Sequence, residues 1–374
     1  MRSPAGYLAP TLLALTLGLT ACAGCGGRSD PTGPAPGPGT PTRTYRMGFS
    51  GIPPRPDLAQ GVAAIQMWSV RSDGAILHLE PPWDSLLAGV PAETLLVREQ
   101  KPLAEYYRAR GLDVVVTLDA TDGLNRAAEA PGLVAAGRSL GEVAVQAAYR
   151  AYAVAVNDLL QPSRLGFAAE TNLIRAAASP GLYAAVVSAA NGAAADVRAR
   201  DAGVRLYVSV QVEVAWNRLA SPAPPPGAPT YVGVAQDLAD FPFAQDIGLS
   251  SYPYLGGFSE PEQVPLDWYR RVRDEVARPV LVVEGGWTSG SVGGSNSDPA
   301  RQARWWRRNL TLADQAQAVG LYQLTFTDLD LASFPPQPPG SILPLFAQLG
   351  LVTADLAAKP ALAVWDSAFA RRLD

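Results

Sequence analysis

Short apolar, β-branched runs alternate with longer segments of helical periodicity from residue 45 to residue 374. Eight of these runs predict strands, at 45–50, 75–79, 113–118, 164–169, 205–214, 246–251, 279–283 and 320–325. The intervening segments predict helices, for example at 92–110, 142–160, 181–201, 266–276 and 299–318. Eight strand–helix units in one domain favour a closed (β/α)₈ TIM barrel over an open doubly wound sheet. We therefore predict a single α/β barrel domain at 45–374.

The first 44 residues have a different pattern. Arg2 precedes an apolar stretch from residue 8 to residue 21, which has the length of a secretory signal and is too short to span a bilayer. We predict a signal peptide at 1–21. Half of the residues from 23 to 44 are Gly or Pro, so 22–44 is predicted to be a flexible linker with a reach of roughly 25 Å.

The end of the signal segment suggests a membrane anchor. It reads Leu19-Thr20-Ala21-Cys22, which resembles the lipobox of bacterial lipoproteins. The resemblance implies cleavage before Cys22 and a lipid on its sulfur, so that the domain is held at a membrane outside the cytoplasm. Ala23 at the following position resembles the signal for the outer membrane in Gram-negative cells. The alternative is an ordinary signal peptide in which Cys22 occurs by chance.

Composition narrows the chemistry of the domain. The chain has 374 residues and a net charge of −4, which does not favour nucleic acid as a partner. His78 is the single histidine and the two cysteines are at 22 and 25, so a His-rich metal site is excluded. The segment after the first strand, GFSGIPP, lacks the spacing of a phosphate-binding loop, which argues against a nucleotide. We predict no cofactor, no metal, and acid–base chemistry by carboxylates.

Polar side chains stand at the carboxyl ends of several predicted strands, which form the active-site face of a TIM barrel. Glu170 ends the fourth strand, and Glu284 ends the seventh in an alternation that predicts Val280 and Val282 to point inward with it. Further candidates for this face are His78 and Glu80 in the second strand and Gln211 and Glu213 in the fifth. Carboxylates and amides without thiols or histidine clusters suit a hydroxyl-rich neutral ligand such as a carbohydrate.

The residues around these strand ends carry a family resemblance. Glu284 lies in VVEGGWTS, the sixth strand continues as IGLSSYPYLGG, and the C-terminal segment contains GLVTADLAAKPALAVW. Together they resemble the retaining (β/α)₈ glycoside hydrolase clan that includes endo-β-1,4-galactanases and cellulases. The resemblance implies that Glu170 is the acid/base, that Glu284 is the nucleophile and that Tyr252 contacts the nucleophile. It also implies a distance of roughly 5–5.5 Å between the two carboxyl groups.

The sequence departs from the clan at two places. Ala169 stands before Glu170, where the clan usually has an asparagine that contacts the sugar, and Asn172 is the candidate to replace it. The eighth strand lacks the tryptophan that is expected there. Trp287, after the nucleophile, is a candidate platform for a sugar ring, with burial in the core as the alternative.

These observations predict a lipid-anchored, extracytoplasmic glycoside hydrolase that cleaves a β-linked poly- or oligosaccharide with retention. Its partners are the carbohydrate and, through Cys22, the membrane. Ala169 and the altered eighth strand leave a second hypothesis open, a glycan-binding surface lipoprotein that has kept the barrel without the catalysis. A third is a structural envelope protein that binds no glycan.

Overall fold

The computed structural model describes residues 42–219 and 227–374. Within these ranges eight parallel strands close into a barrel in chain order, and the eighth strand pairs with the first. The strands are β1 (Arg46–Ser50), β2 (Gly74–Leu79), β3 (Asp113–Leu118), β4 (Arg164–Phe167), β5 (Arg205–Gln211), β6 (Asp246–Ser251), β7 (Val280–Gly285) and β8 (Gly320–Gln323). The predicted TIM barrel is confirmed. The predicted signal peptide, Cys22 and nearly all of the 22–44 linker lie outside the described residues.

Helices connect the strands and pack around the barrel. The longer ones are Leu58–Ser69, Val143–Leu160, Pro180–Arg200, Pro299–Ala316 and Pro360–Phe369. The shorter ones are Trp83–Leu87, Ala92–Glu99, Lys101–Ala109, Pro131–Ala135, Thr171–Ala177, Val212–Ala215, Ala235–Asp240 and Arg270–Val276, with 3₁₀ turns at Pro261–Gln263, Leu331–Ser333 and Leu343–Phe346. Two short pairs lie outside the barrel, Thr42–Arg43 with Arg372–Leu373 and Thr121–Asp122 with Asn125–Glu129. In the part of the chain that the structure describes, no helix is long and apolar enough to cross a membrane.

Two predicted elements are interrupted. The helix predicted at 92–110 is divided at Gln100, because Pro102 has no N–H to donate to the preceding turn and is instead accommodated in the first turn of the second helix. The strand predicted at 205–214 ends at Gln211, and the residues that follow form the helical turn Val212–Ala215. Side chains beyond Gln211 therefore no longer alternate between the inside and the outside of the barrel.

A small apolar layer fills the inside of the barrel. Its buried side chains all come from strands: Ile76, Val115, Tyr207, Leu281, Val283 and Tyr322. Gly166 in β4 makes room for the ring of Tyr207, because a Cβ atom at that position would lie 2.6 Å from the ring. The Tyr207 hydroxyl in turn forms a 2.6 Å hydrogen bond with Thr117 Oγ1. This layer closes the barrel beneath its carboxyl end, so that a ligand site can lie only above it.

The strand that carries Glu284 is irregular. Its inward side chains below the mouth are Leu281 and Val283, so the predicted inward positions of Val280 and Val282 were wrong. The pairing of β7 with β6 shifts register between Val282 and Glu284, as it does at a β-bulge. The extra residue lets Val283 and Glu284 face the same side, and Glu284 reaches the mouth of the barrel by this shift rather than by regular alternation.

Candidate active site

A cavity of about 410 Å³ opens at the carboxyl ends of the barrel strands. It lies where the sequence predicts the site, above the packed layer inside the barrel. Six of the predicted site residues line it, namely His78, Glu80, Glu170, Gln211, Tyr252 and Glu284. The structure therefore brings together polar groups from β2, β4, β5, β6 and β7 that are far apart in the chain.

Glu170 and Glu284 face each other across one hydroxyl group. Ser250 Oγ lies 2.5 Å from Glu170 Oε1 and 2.7 Å from Glu284 Oε1. The two carboxyl oxygens are therefore at most about 5 Å apart, which is closer than the arrangement of inverting glycosidases allows. A hydroxyl carries a single proton, so Ser250 donates to only one carboxyl group at a time. The second hydrogen bond requires a proton on the other carboxyl group.

The backbone around Glu170 is strained. β4 ends at Phe167, and both Ala168 (φ 66°) and Glu170 (φ 53°) adopt the left-handed conformation that non-glycine residues rarely take. The N–H of Glu170 donates to Ser209 Oγ at 2.9 Å, which helps to hold this conformation. Strain of this kind persists only where the surroundings fix it, and it concentrates at functional sites.

Arg126 contacts Glu170 and was not predicted from the sequence. Its Nε donates to Glu170 Oε2 at 2.9 Å and its Nη1 to Asp119 Oδ2 at 2.5 Å, with only 7% of the side chain exposed. Gln211 Nε2 donates to the other oxygen of Glu170 at 3.2 Å. A buried guanidinium group beside a carboxylate favours the ionised form of that carboxylate. Both oxygens of the Glu170 carboxyl group are therefore held by buried side-chain donors.

Arg126 reaches the mouth of the barrel on a β-hairpin after β3. The hairpin pairs Thr121–Asp122 with Asn125–Glu129 in antiparallel register. The Asp122-Gly123 pair is a sequence signal for such a tight turn. Nothing in the sequence says that the hairpin folds over the site, because its position depends on packing against the barrel. Ser250 was also missed, since the two adjacent serines of IGLSSYPY do not reveal which one points inward.

Glu284 has a different electrostatic environment from Glu170. Burial raises its pKa to about 8, and the negative charge of Glu170 adds to this rise while Arg126 opposes it. The carboxyl proton that the Ser250 bridge requires is therefore on Glu284 at neutral pH. His78 Nδ1 lies 3.8 Å from Glu284 Oε2, but burial lowers the pKa of His78 to about 4. The imidazole is neutral at pH 7 and does not compensate an ionised Glu284.

Two more predicted residues complete the floor of the cavity. Burial, together with the charges of Asp119 and Asp122, raises the pKa of Glu80 to about 8. Tyr252 is buried beside the two central carboxyl groups, and burial and their negative charges raise its pKa well above the usual value. Its ring packs edge-on against Phe346, with 5.0 Å between the ring centres. Tyr252 is thus a neutral hydroxyl donor at the level of the carboxyl pair.

The structure places Asn172 and Glu213 outside the cavity lining. Asn172 uses its amide on the backbone of Gln211, donating to the carbonyl oxygen at 2.9 Å and accepting from the N–H at 2.7 Å. Glu213 lies beyond the end of β5, fully buried, where its Oε1 accepts from Ser251 Oγ at 2.9 Å. The prediction that both contact substrate was wrong, because helical turns begin at Thr171 and Val212 and redirect the two side chains.

Trp287 is a core residue, so its predicted role as a sugar platform was wrong. The side chain is fully buried and its Nε1 donates to Ser297 Oγ at 3.1 Å. Its ring packs between Tyr254 and Trp305, with centroid distances of 6.0 and 5.6 Å. The alternative stated above, burial in the core, is what the structure shows.

Solved structures with a similar fold include several glycoside hydrolases. An exo-β-1,4-mannosidase from Opitutaceae bacterium strain TAV5 superimposes with a TM-score of 0.63 at 15% identity, over 88% of this chain and 61% of that one. A family 39 glycoside hydrolase from Bacteroides cellulosilyticus WH2 gives 0.58 at 14% identity, over 88% and 64%. Xylanase 10B from Thermotoga maritima gives 0.57 at 12% identity, over 87% and 95%.

By sequence, the chain matches no protein-family model and no curated protein. The structural similarity therefore stands on the fold, and this chain spans less than two thirds of the first two enzymes named above. The predicted resemblance to (β/α)₈ glycoside hydrolases is confirmed at that level. The chain has the barrel on which those enzymes are built.

Proposed function

We propose that the protein is a glycoside hydrolase that cleaves β-linked glycosides with retention, as predicted for a poly- or oligosaccharide. The observation that carries the proposal is the pair of buried carboxyl groups, Glu170 and Glu284, held within about 5 Å by Ser250 at the mouth of the barrel. Inverting enzymes need a wider gap for the attacking water. The narrow gap leaves room for direct attack by a carboxylate.

In the proposed reaction Glu284 Oε attacks the anomeric carbon while the bond to the leaving oxygen breaks. Glu170 donates its proton to that oxygen, and the leaving alcohol departs. A water molecule then attacks the anomeric carbon of the glycosyl ester. Glu170 accepts the proton of this water, and Glu284 is released as a carboxylate.

This sequence requires one proton on the pair, and it must be on Glu170 when attack begins. At neutral pH the raised pKa of Glu284 favours the proton on Glu284 instead. Ser250 Oγ touches both carboxyl groups and can pass the proton from one to the other, by accepting from Glu284 and donating to Glu170. We infer that substrate binding triggers this transfer.

The ion pair between Arg126 and Glu170 also favours a second candidate, a glycan-binding protein without catalysis. A carboxylate that stays paired with a buried guanidinium group is a poor general acid. Ala169, in place of the clan's asparagine, also favours binding without catalysis. The two candidates differ in whether glycosides are turned over or only bound.

Activity on a panel of aryl β-glycosides and β-linked oligosaccharides tests the proposal. Glu284→Ala should lose turnover by several orders of magnitude, and azide should restore it on an aryl glycoside by replacing the carboxylate as nucleophile. Glu170→Ala should slow substrates with basic leaving groups more than those with acidic ones. Glu213→Gln, a buried glutamate outside the cavity, is the matched control and should keep wild-type turnover. Binding of the same glycosides without turnover would support the second candidate.

The proposed place of action is outside the cytoplasm at a bacterial membrane, with a lipid on Cys22. This part rests on the sequence of residues 19–22. Cys22→Ser should release the protein from the membrane fraction and remove the incorporation of labelled palmitate. Cys25→Ser is the matched control, because it removes the other cysteine and leaves the lipobox intact. Equal labelling of both variants would contradict the anchor.

A further inference from the structure

The cavity is divided into a polar floor and an apolar wall. The charged and amide groups of the floor surround the pair of carboxyl groups. The wall is formed by leucines and a phenylalanine, among them Leu124, Leu173, Leu219, Leu255, Leu343 and Phe346. Most of these side chains are only half-buried, and their exposed parts line the cavity. A ligand that fills this space has a hydroxyl-rich part and an apolar part.

The apolar wall reaches the side on which the leaving group departs. Glu170 immediately precedes the helix Thr171–Ala177, in which Leu173 and Ala177 are four residues apart and so lie on one helical face. All three line the cavity. Because the acid protonates the leaving oxygen, the leaving group lies next to Glu170 and along this face.

Neighbouring loops extend the same wall. Leu219 and Leu255 lie in the loops that follow β5 and β6, the next two strands after β4 around the barrel. Aliphatic side chains cannot hydrogen-bond to a second sugar, whose hydroxyl groups would lose water without compensation. Among the described residues that line the cavity there is no tryptophan on which a second pyranose ring could stack. The wall thus fits an apolar leaving group better than another sugar.

We propose that the substrate is a glycoside of one compact sugar with an apolar aglycone, alkyl or aryl, in contact with Leu173 and Ala177. This rests on the proposed hydrolysis of β-glycosides and replaces the poly- or oligosaccharide by a substrate with an apolar aglycone. The cavity of about 410 Å³ is in the range of pockets that enclose one small molecule, and a polysaccharide needs a longer open cleft.

The test compares n-alkyl β-glycosides from methyl to octyl, on glucose, mannose, galactose, xylose and glucuronic acid, with the corresponding β-linked disaccharides. For the sugar that is accepted, kcat/KM should rise about fourfold for each added methylene group until the wall is covered. Ala177→Gln should flatten this dependence. Ala176→Gln, an exposed neighbour on the same helix that does not line the cavity, should leave it unchanged.

The outcomes separate this inference from the proposed function. If glycosides are hydrolysed but chain length has no effect, or disaccharides are preferred, the apolar aglycone is wrong and the hydrolase stands. If no glycoside is hydrolysed, calorimetry measures the binding affinity of the same alkyl glycosides and tests the apolar site directly. Affinity that rises with chain length in wild type and not in Ala177→Gln supports the apolar site in a binding protein. Equal affinity along the series, or no binding, overturns the inference.

Discussion

Replacement of Glu213 by glutamine should change how the stability of the protein depends on pH. Glu213 is fully buried, one carboxyl oxygen accepts from Ser251, and the other has no hydrogen-bond partner within the described residues. Burial raises its pKa to about 8 from a usual value of 4.5. The folded protein therefore holds a proton that the unfolded chain releases between these two pH values.

The sign and size of the effect follow from this difference. Because the folded state binds the extra proton, Glu213 lowers the free energy of unfolding as pH rises through this interval, by about 1.4 kcal/mol for each pH unit. Over the whole interval the loss amounts to about 5 kcal/mol, which is present above pH 8 and absent below pH 4.5. Glutamine has nearly the same shape as the protonated acid, keeps an acceptor for Ser251 and does not titrate.

Urea denaturation of wild type and Glu213→Gln at half-unit steps from pH 5 to pH 9 measures the effect. The variant should gain stability relative to wild type at each step and reach a constant advantage above pH 8. Glu93→Gln, at an exposed position in the first turn of Ala92–Glu99, should run parallel to wild type. A difference between Glu213→Gln and wild type that is the same at pH 5 and pH 9 would refute the reasoning, since the carboxyl group would then titrate normally.

Three further predictions concern the carboxyl pair, Arg126 and the buried Trp287. The pH profile of kcat/KM should fall above an apparent pKa near 8, because the pair of Glu170 and Glu284 then loses the single proton that hydrolysis needs. Arg126→Gln should shift this alkaline fall in activity to a pH about one unit higher, because the guanidinium charge lowers the pKa of Glu284. A pH profile that is the same in the variant and in wild type would contradict this prediction. Trp287→Phe should cost about 1–3 kcal/mol of stability in urea denaturation through lost packing and the lost bond to Ser297, with KM unchanged.

The barrel could be predicted from the sequence because each strand is a short apolar run bounded by polar segments. The runs at 113–118 and 246–251 have the predicted bounds in the structure. Errors arose where local geometry overrides the periodic pattern. The strand carrying Gln211 stops early, and the β-bulge before Glu284 reverses which valines of β7 point inward.

The site could be predicted where a polar residue ends a strand and no turn intervenes. Six predicted residues line the cavity, although Glu170 reaches it through left-handed backbone beyond β4 and Glu284 through the β-bulge. Asn172 and Glu213 lie on helical turns that carry them away from it. Arg126 could not be found, because the hairpin that carries it is placed over the mouth by tertiary packing. For Trp287, position after a strand does not distinguish a sugar platform from burial in the core, and the segment that carries it runs into the core.

The surroundings of Glu170 and Glu284 explain why this pair of carboxyl groups keeps one proton instead of being doubly ionised. Asp119 and Glu170 share the positive charge of Arg126, so this buried group of three already carries one net negative charge. Ionising Glu284 adds a second negative charge in a buried place, which is why its pKa is raised. In the proposed reaction the transition state resembles an oxocarbenium ion and brings a positive charge to this point. Burial, with the negative charge of Glu170 added to it, keeps the proton on Glu284 before substrate binds. The negative charge of the cluster then attracts the transition state, which it stabilises more than the neutral substrate.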